Sequence, residues 1–409
     1  MGFTEFIQSR ISDDIIHQEL QVKYRFYRNL TPELKERFVK RTSVFIENKK
    51  FVARKDLVMT DTIRIIVSAC AVQVTFGLDS FTLDTFEHVV IYPDIYESPV
   101  TKQMHKGETN LNGFICLSWK DILAGIENPT DNYNLGLHEW THALRFNGFH
   151  FQETDYFFDN YINKWVSCSM IEFNKLKGGK ESIFRRYGAT NIHEFLSVTT
   201  EHFFESPDEF KLKAPEFFNQ MCILFNQLPA NEGSVKINVR NELLIEPLSK
   251  IDPQAPILEL KASFLQTLIS FGVKLIYFVF FILFMTAVIV ATQSIITLII
   301  GLLILPFVVI KLNNTFVTVK FYETGIYVQK GFTLRFARKL YVNYHALTKM
   351  TIYKYRTRNY SSITAIEMDY YDGKQFRKES YNFNTNYIPQ QQITDLMEKK
   401  QVLIVYPKE

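Results

Sequence analysis

Cysteine is scarce in this chain: four residues, Cys70, Cys116, Cys168 and Cys222, are scattered through 409 positions with no C-x-x-C spacing. That excludes both a disulfide framework and a thiolate zinc site, and leaves four reduced thiols in or near a core. The N-terminus, Met1-Gly2-Phe3-Thr4-Glu5, lacks the apolar run of a signal peptide. Low-complexity tracts and internal repeats are missing as well. Charge of either sign is missing from Leu275 to Ile310, 36 consecutive residues dominated by Ile, Leu, Phe and Val.

That uncharged stretch shapes the first reading of the chain. One helix of such length would run about 54 Å, well beyond a hydrocarbon core of about 30 Å. A two-helix transmembrane hairpin fits better, with spans at about 264–290 and 294–310, Lys274 snorkelling near the start, and Ala291-Thr292-Gln293 as the turn. Two spans return the chain to the side it left. Lys261, Lys274, Lys311 and Lys320 flank the hairpin, so the positive-inside tendency places both soluble parts in the cytoplasm. The expected location is therefore a membrane, a bacterial inner membrane, with membrane lipids as partners.

At 409 residues the chain can hold two or three domains. Residues 1–228 mix helical and strand patterns and form the first. Thr31-Pro32-Glu33-Leu34 is a helix start. Residues 60–77 read as a buried helix with a Thr/Asp cap, and residues 88–93 and 114–119 as short strands. The strand before residue 119 offers an edge on which an extended peptide could pair its backbone. Residues 229–263, with Pro229, Pro247, Pro253 and Pro256, read as a linker into the hairpin at 264–311. Residues 312–409 alternate apolar and polar positions, carry a hairpin turn signal at Tyr371-Asp372-Gly373-Lys374, and close with a helix at 389–400 and a strand at 402–405. The fold class expected is α+β, with a small β-rich C-terminal domain resembling a pleckstrin-homology module in architecture. From Lys311 onward 16 Lys and Arg face 8 Asp and Glu, a net of +8, which leaves −5 of the total +3 for residues 1–310. A basic module beside a membrane can lie on anionic headgroups, or its charge can be an ordinary solvated surface. Nucleic acid is not expected as a partner.

Within the first domain, His138-Glu139-Trp140-Thr141-His142 is an H-E-x-x-H signature inside residues 132–147, which read as a helix closed by Gly148. Residues four apart share a helix face about 6 Å from each other. Both imidazoles can therefore reach one metal ion while the carboxylate of Glu139 points at its open coordination position. A catalytic zinc needs a third protein ligand from elsewhere. Residues 191–206 open a second helix, where Glu194, Glu201 and Glu205 are the candidates; Glu194 can equally be a capping-box acid behind Asn191.

The stretch Tyr187-Gly188-Ala189-Thr190-Asn191-Ile192-His193-Glu194-Phe195 resembles a segment shared by the Mlc titration factor A family of zinc peptidases and the catalytic domain of anthrax lethal factor. Tyr92-Pro93, Leu117-Ser118-Trp119 and the run from Glu201 through Pro207 are similar to the titration factor family too, over roughly residues 20–228. The resemblance implies a zincin-like domain of the gluzincin type with zinc as cofactor. It implies His138, His142 and Glu194 as metal ligands, Glu139 as general base and Tyr187 as the phenol facing the substrate carbonyl. Glu201 then becomes an acid supporting a ligand imidazole. One departure stands out: Arg145 occupies a position where the family has aspartate.

The function expected is that of a membrane-tethered, zinc-dependent peptidase acting on a peptide or protein substrate. The alternatives are a zinc-stabilised module that sequesters a cytoplasmic regulatory protein at the membrane, and a lipid-sensing scaffold with a vestigial protease.

Overall fold

The computed structural model describes residues 10–147, 155–230, 235–244, 256–261, 264–292, 299, 317–331, 338–356, 362–383 and 389–406. The chain divides into two compact units, Met1–Leu243 and Leu244–Glu409.

The first unit runs α1 (Asp13–Lys23), α2 (Arg25–Arg28), α3 (Pro32–Glu47), β1 (Lys50–Ala53), α4 (Asp61–Thr75), β2 (His88–Tyr92), β3 (Tyr96–Glu97), β4 (Met104–His105), β5 (Gly107–Asn110) and β6 (Phe114–Ser118). It continues with α5 (Trp119–Glu127), α6 (Leu135–Asn147), α7 (Tyr156–Lys177), a 3-10 turn (Arg186–Ala189), α8 (Ile192–Glu205), α9 (Pro207–Lys213), α10 (Pro215–Phe225), β7 (Gln227–Leu228), β8 (Lys236–Ile237) and α11 (Arg240–Leu244). The expected helix starts are made by their caps: the Thr31 hydroxyl accepts from Leu34 N–H at the head of α3, and Thr60 accepts from Ile63 N–H at the head of α4. From Ile63 to Thr75 every residue of α4 is buried, the mark of a helix enclosed by its neighbours on all sides. Cys70, Cys168 and Cys222 are buried free thiols and Cys116 a partly exposed one.

A four-stranded sheet of order β1-β2-β6-β5 lies in this unit. The pairs β1/β2 and β2/β6 are parallel, while β5 runs antiparallel to β6. The strand over residues 114–119 is therefore interior, with β2 and β5 on its two sides, and the edge beside α6 belongs to β5. Gly107-Glu108-Thr109-Asn110 has no apolar alternation, which is why its strand is not evident in the sequence.

The second unit contains β9 (Leu258–Lys261), α12 (Phe264–Thr292), β10 (Val317–Phe321), β11 (Gly325–Lys330), β12 (Arg338–Asn343), β13 (Leu347–Arg356), β14 (Ser362–Tyr371), β15 (Phe376–Phe383), α13 (Gln390–Lys399) and β16 (Leu403–Val405). Two four-stranded sheets result, of order β12-β11-β10-β9 and β15-β14-β13-β16. The expected turn joins β14 to β15, with Asp372 accepting from the N–H groups of Lys374 and Gln375 and Gly373 at φ +96°. Leu258–Lys261, inside the stretch read as linker, pairs antiparallel with β10, Lys261 opposite Thr318.

The membrane reading is corrected. The apolar stretch yields one described helix, α12. Among the described residues no helix is long and apolar enough to cross a membrane. The transmembrane hairpin, the membrane location and the cytoplasmic placement that depended on it do not hold, nor do the lipid contacts expected of the hairpin. The expected turn does not begin at Ala291, because α12 continues through Thr292; the second span, apart from Ile299, lies outside the described residues.

Candidate metal centre

The helix bearing the H-E-x-x-H signature starts three residues later than expected. Asn132 has a left-handed backbone, φ +60°, and cannot continue a helix. Asn134 caps α6 instead, its side-chain oxygen accepting from Leu137 N–H at 3.1 Å. Gly148 lies outside the described residues. Trp140 donates to the Val67 carbonyl at 3.0 Å, and a Cβ at Gly136 would meet Cys70 Sγ at 2.5 Å, so α6 is seated hard against α4. His138 and His142 share another face, which meets α8. There Asn191 caps the helix by accepting from the N–H groups of His193 and Glu194, placing Glu194 in the first turn.

Three ligand atoms converge. His138 Nε2 lies 3.1 Å from Glu194 Oε2, His142 Nε2 lies 3.2 Å from His138 Nε2, and His142 Nε2 lies 3.4 Å from Glu194 Oε2. His138, His142 and Glu194 form a group able to hold a metal ion. The donor set passes a simple test: ligands at zinc distances on the corners of a tetrahedron are about 3.3 Å apart, and the observed edges of 3.1, 3.2 and 3.4 Å fall around that value. The ring of His138 is fixed from behind, its Nδ1 lying 2.8 Å from Glu201 Oε1. This is the carboxylate–histidine pairing that orients metal ligands.

Glu201 is itself held by two groups absent from the sequence reading. Arg185 Nη2 donates to its Oε1 at 2.5 Å and the Asn134 N–H donates to its Oε2 at 2.6 Å. Ser197 adds a hydrogen bond to the His138 carbonyl at 3.0 Å. Asn134 was detectable, being a capping residue just ahead of the motif; Arg185, sixteen positions from Glu201, had no local signal. Glu205, the remaining carboxylate considered as a ligand, faces Asn134 Nδ2 at 3.0 Å and stays out of the cluster.

Electrostatics follow from burial and these contacts. Burial disfavours the His138 imidazolium, but hydrogen bonds to Glu194 and Glu201 outweigh it and raise its pKa to about 10 in the metal-free site. Burial likewise opposes ionisation of Glu194, yet His138 and His142 hold its carboxyl well below the ordinary range. Tyr187, in the 3-10 turn, brings its ring to 6.0 Å from that of His138. Burial, reinforced by Glu194 and Glu139, pushes its phenol up to about 12, so it keeps its proton. Arg145 is half-buried and its charge, after burial, helps to lower the pKa of His193.

A family described as glucose-regulated metallo-peptidase M90 matches residues 5–226, more than half of the sequence. The chain belongs to this family. The relatives include Mlc titration factor A of Salmonella agona, 25% identical in an alignment of 222 positions that covers 49% of this chain and 82% of that protein. The protein slr2042 of Synechocystis sp., described as uncharacterized, is 27% identical over 207 residues, 45% of this chain and 73% of its own length. Both alignments concern about half of the chain.

Proposed function

We propose that this M90 member is a zinc-dependent peptidase of the gluzincin type, with His138, His142 and Glu194 as metal ligands. The convergence of those three ligand atoms at tetrahedral spacing carries the reading, and membership of a metallo-peptidase family supports it. When bound, zinc polarises a carbonyl and lowers the pKa of a coordinated water toward about 7. Glu139 takes the proton of the attacking water on its carboxylate and delivers it to the departing amine. Tyr187 donates its phenol hydrogen to the oxygen of the scissile carbonyl as negative charge grows there. The free edge of β5 offers main-chain hydrogen bonds to an extended substrate strand.

The test replaces Glu139 by Gln. The variant should retain one equivalent of zinc and lose peptide hydrolysis by about a thousandfold or more, while His142→Ala should lose the metal. Hydrolysis at wild-type rate by the zinc-loaded Gln variant would show that Glu139 is not the base.

A second reading has its own support. The relatives named Mlc titration factor A are, by that name, proteins that titrate Mlc, and this chain would then bind a regulatory protein through the M90 domain without cleaving it. A binding module would keep partner affinity in the Glu139→Gln variant and show no turnover in either form. For the second unit, a meander of four strands, β9 to β12, then one of three, β13 to β15, and a following helix support the pleckstrin-homology-like reading.

A further inference from the structure

The general base is held by the edge strand, not by its own helix. Glu139 is buried, 6% exposed, and its Oε2 lies 2.8 Å from Thr109 Oγ1, which also lies 3.0 Å from the Glu139 main-chain carbonyl oxygen. A hydroxyl has one proton, and a carboxylate oxygen is a stronger acceptor than a main-chain carbonyl. Among the described residues, Thr109 is the one side chain hydrogen-bonded to the Glu139 carboxylate. Two positions earlier, and so on the same face of the strand, Gly107 has no side chain; a Cβ there would stand 2.5 Å from Glu139 Oε1, 2.6 Å from its Cγ and 2.7 Å from Leu135 Cδ1. The carboxylate thus spans positions 107 and 109 of β5, with one oxygen against each.

We infer that Thr109 is a positioning residue for Glu139. Its hydroxyl occupies Oε2 and fixes the carboxylate plane, and the missing side chain of Gly107 makes room for the carboxylate to lie against the strand, leaving Oε1 to take the water's proton. The arrangement is made before any substrate arrives, so reorganisation at the moment of proton transfer is small. Because β5 is also the edge strand beside α6, the edge offered to an extended peptide and the holder of the base are one element. The inference takes from the peptidase reading what Glu139 does; where Glu139 is held stands independently of it.

The experiment uses the full chain as Thr109→Val, Thr109→Ser and Gly107→Ala variants loaded with zinc, assayed with an internally quenched fluorogenic peptide chosen from a random-sequence library. Val keeps the shape and loses the hydroxyl, so kcat should fall tenfold or more while KM stays within threefold and zinc content is unchanged. Ser should restore kcat to within threefold of wild type. Gly107→Ala should also lower kcat at unchanged zinc content, since the end of the Glu139 side chain can swing away from the new methyl. A Val variant with kcat within twofold of wild type, or a Ser variant as slow as Val, overturns the inference. A second measurement needs no turnover: a double-mutant cycle of Thr109→Val with Glu139→Ala in urea unfolding, followed by tryptophan fluorescence. Trp119, Trp140 and Trp165 are the three tryptophans of the chain and all lie in the first unit. Coupling of fivefold or more in the unfolding constant is expected, and less than twofold overturns the hydrogen bond. A wild-type protein that cleaves nothing in the library would count against the peptidase reading and leave the cycle to decide the role of Thr109.

Discussion

Glu205 shows what single residues store behind the metal centre. The residue is 4% exposed, its Oε1 accepts from Asn134 Nδ2 at 3.0 Å, and burial pushes its pKa up to about 8. A folded-state pKa above the unfolded value means that, between about pH 4.5 and 8, the folded protein keeps a proton that the unfolded chain has released. Stability contributed by the neutral acid is present at low pH and is lost as pH rises through that window, by about 1.4 kcal/mol per unit. Glu205→Gln keeps an oxygen for Asn134 Nδ2 and cannot ionise. Its melting temperature relative to wild type should therefore climb steadily from pH 5 to pH 8, read by tryptophan fluorescence, and level off above. Parallel pH profiles for the two proteins would refute the assignment. The residues legible in the sequence were those with a motif to mark them, His138, Glu139, His142 and Glu194. Thr109, Gly107 and Arg185 carry no such mark, because their partners, Glu139 and Glu201, are distant along the chain and adjacent only after folding.

At the scale of elements, α6 and α8 do most of the positioning, and their caps set the register of the site. Asn134 joins them: its side chain caps α6 and reaches both the Gly125 carbonyl and Glu205, while its main-chain N–H holds Glu201. Asn134→Ala keeps the main-chain bond and loses the three made by the side chain. A loss of about 1–2 kcal/mol is expected, seen as a melting temperature lower by roughly 2–8 °C for a unit of this size; an unchanged melting temperature would mean that the cap contributes nothing. Helix boundaries were legible where Thr31, Thr60 and Asn191 cap, since a capping side chain acts within three residues. The start of α6 was not, because two asparagines precede it and only the left-handed backbone at Asn132 decides between them.

At the scale of the whole molecule, the candidate ligands His138, His142 and Glu194 and the residues packed behind them, from Gly107 to Glu205, lie in the first compact unit. A chain ending at residue 243 should accordingly bind one zinc with an affinity within about threefold of the full protein and keep whatever hydrolysis that protein shows. A tenfold loss of either, with the shortened chain still folded by tryptophan fluorescence, would assign the second unit a part in the site. That second unit also revises the order of the parts. Lys261 pairs with Thr318 across two neighbouring strands, so the β-rich module begins before the long apolar stretch and resumes after it.

The amino-acid sequence alone determined the chemistry on offer: two imidazoles and a carboxylate at helical spacing, a capped second helix with a further carboxylate, and reduced thiols. Those properties are local, since spacing along a helix and capping within a turn follow from backbone geometry. Tertiary structure decided which strand is the sheet edge, what holds the Glu139 carboxylate and the Glu201 carboxylate, and that the residues before and after the apolar stretch are strand neighbours. Each of these depends on contacts between segments far apart in the chain, where periodicity carries no information and only packing brings the partners together.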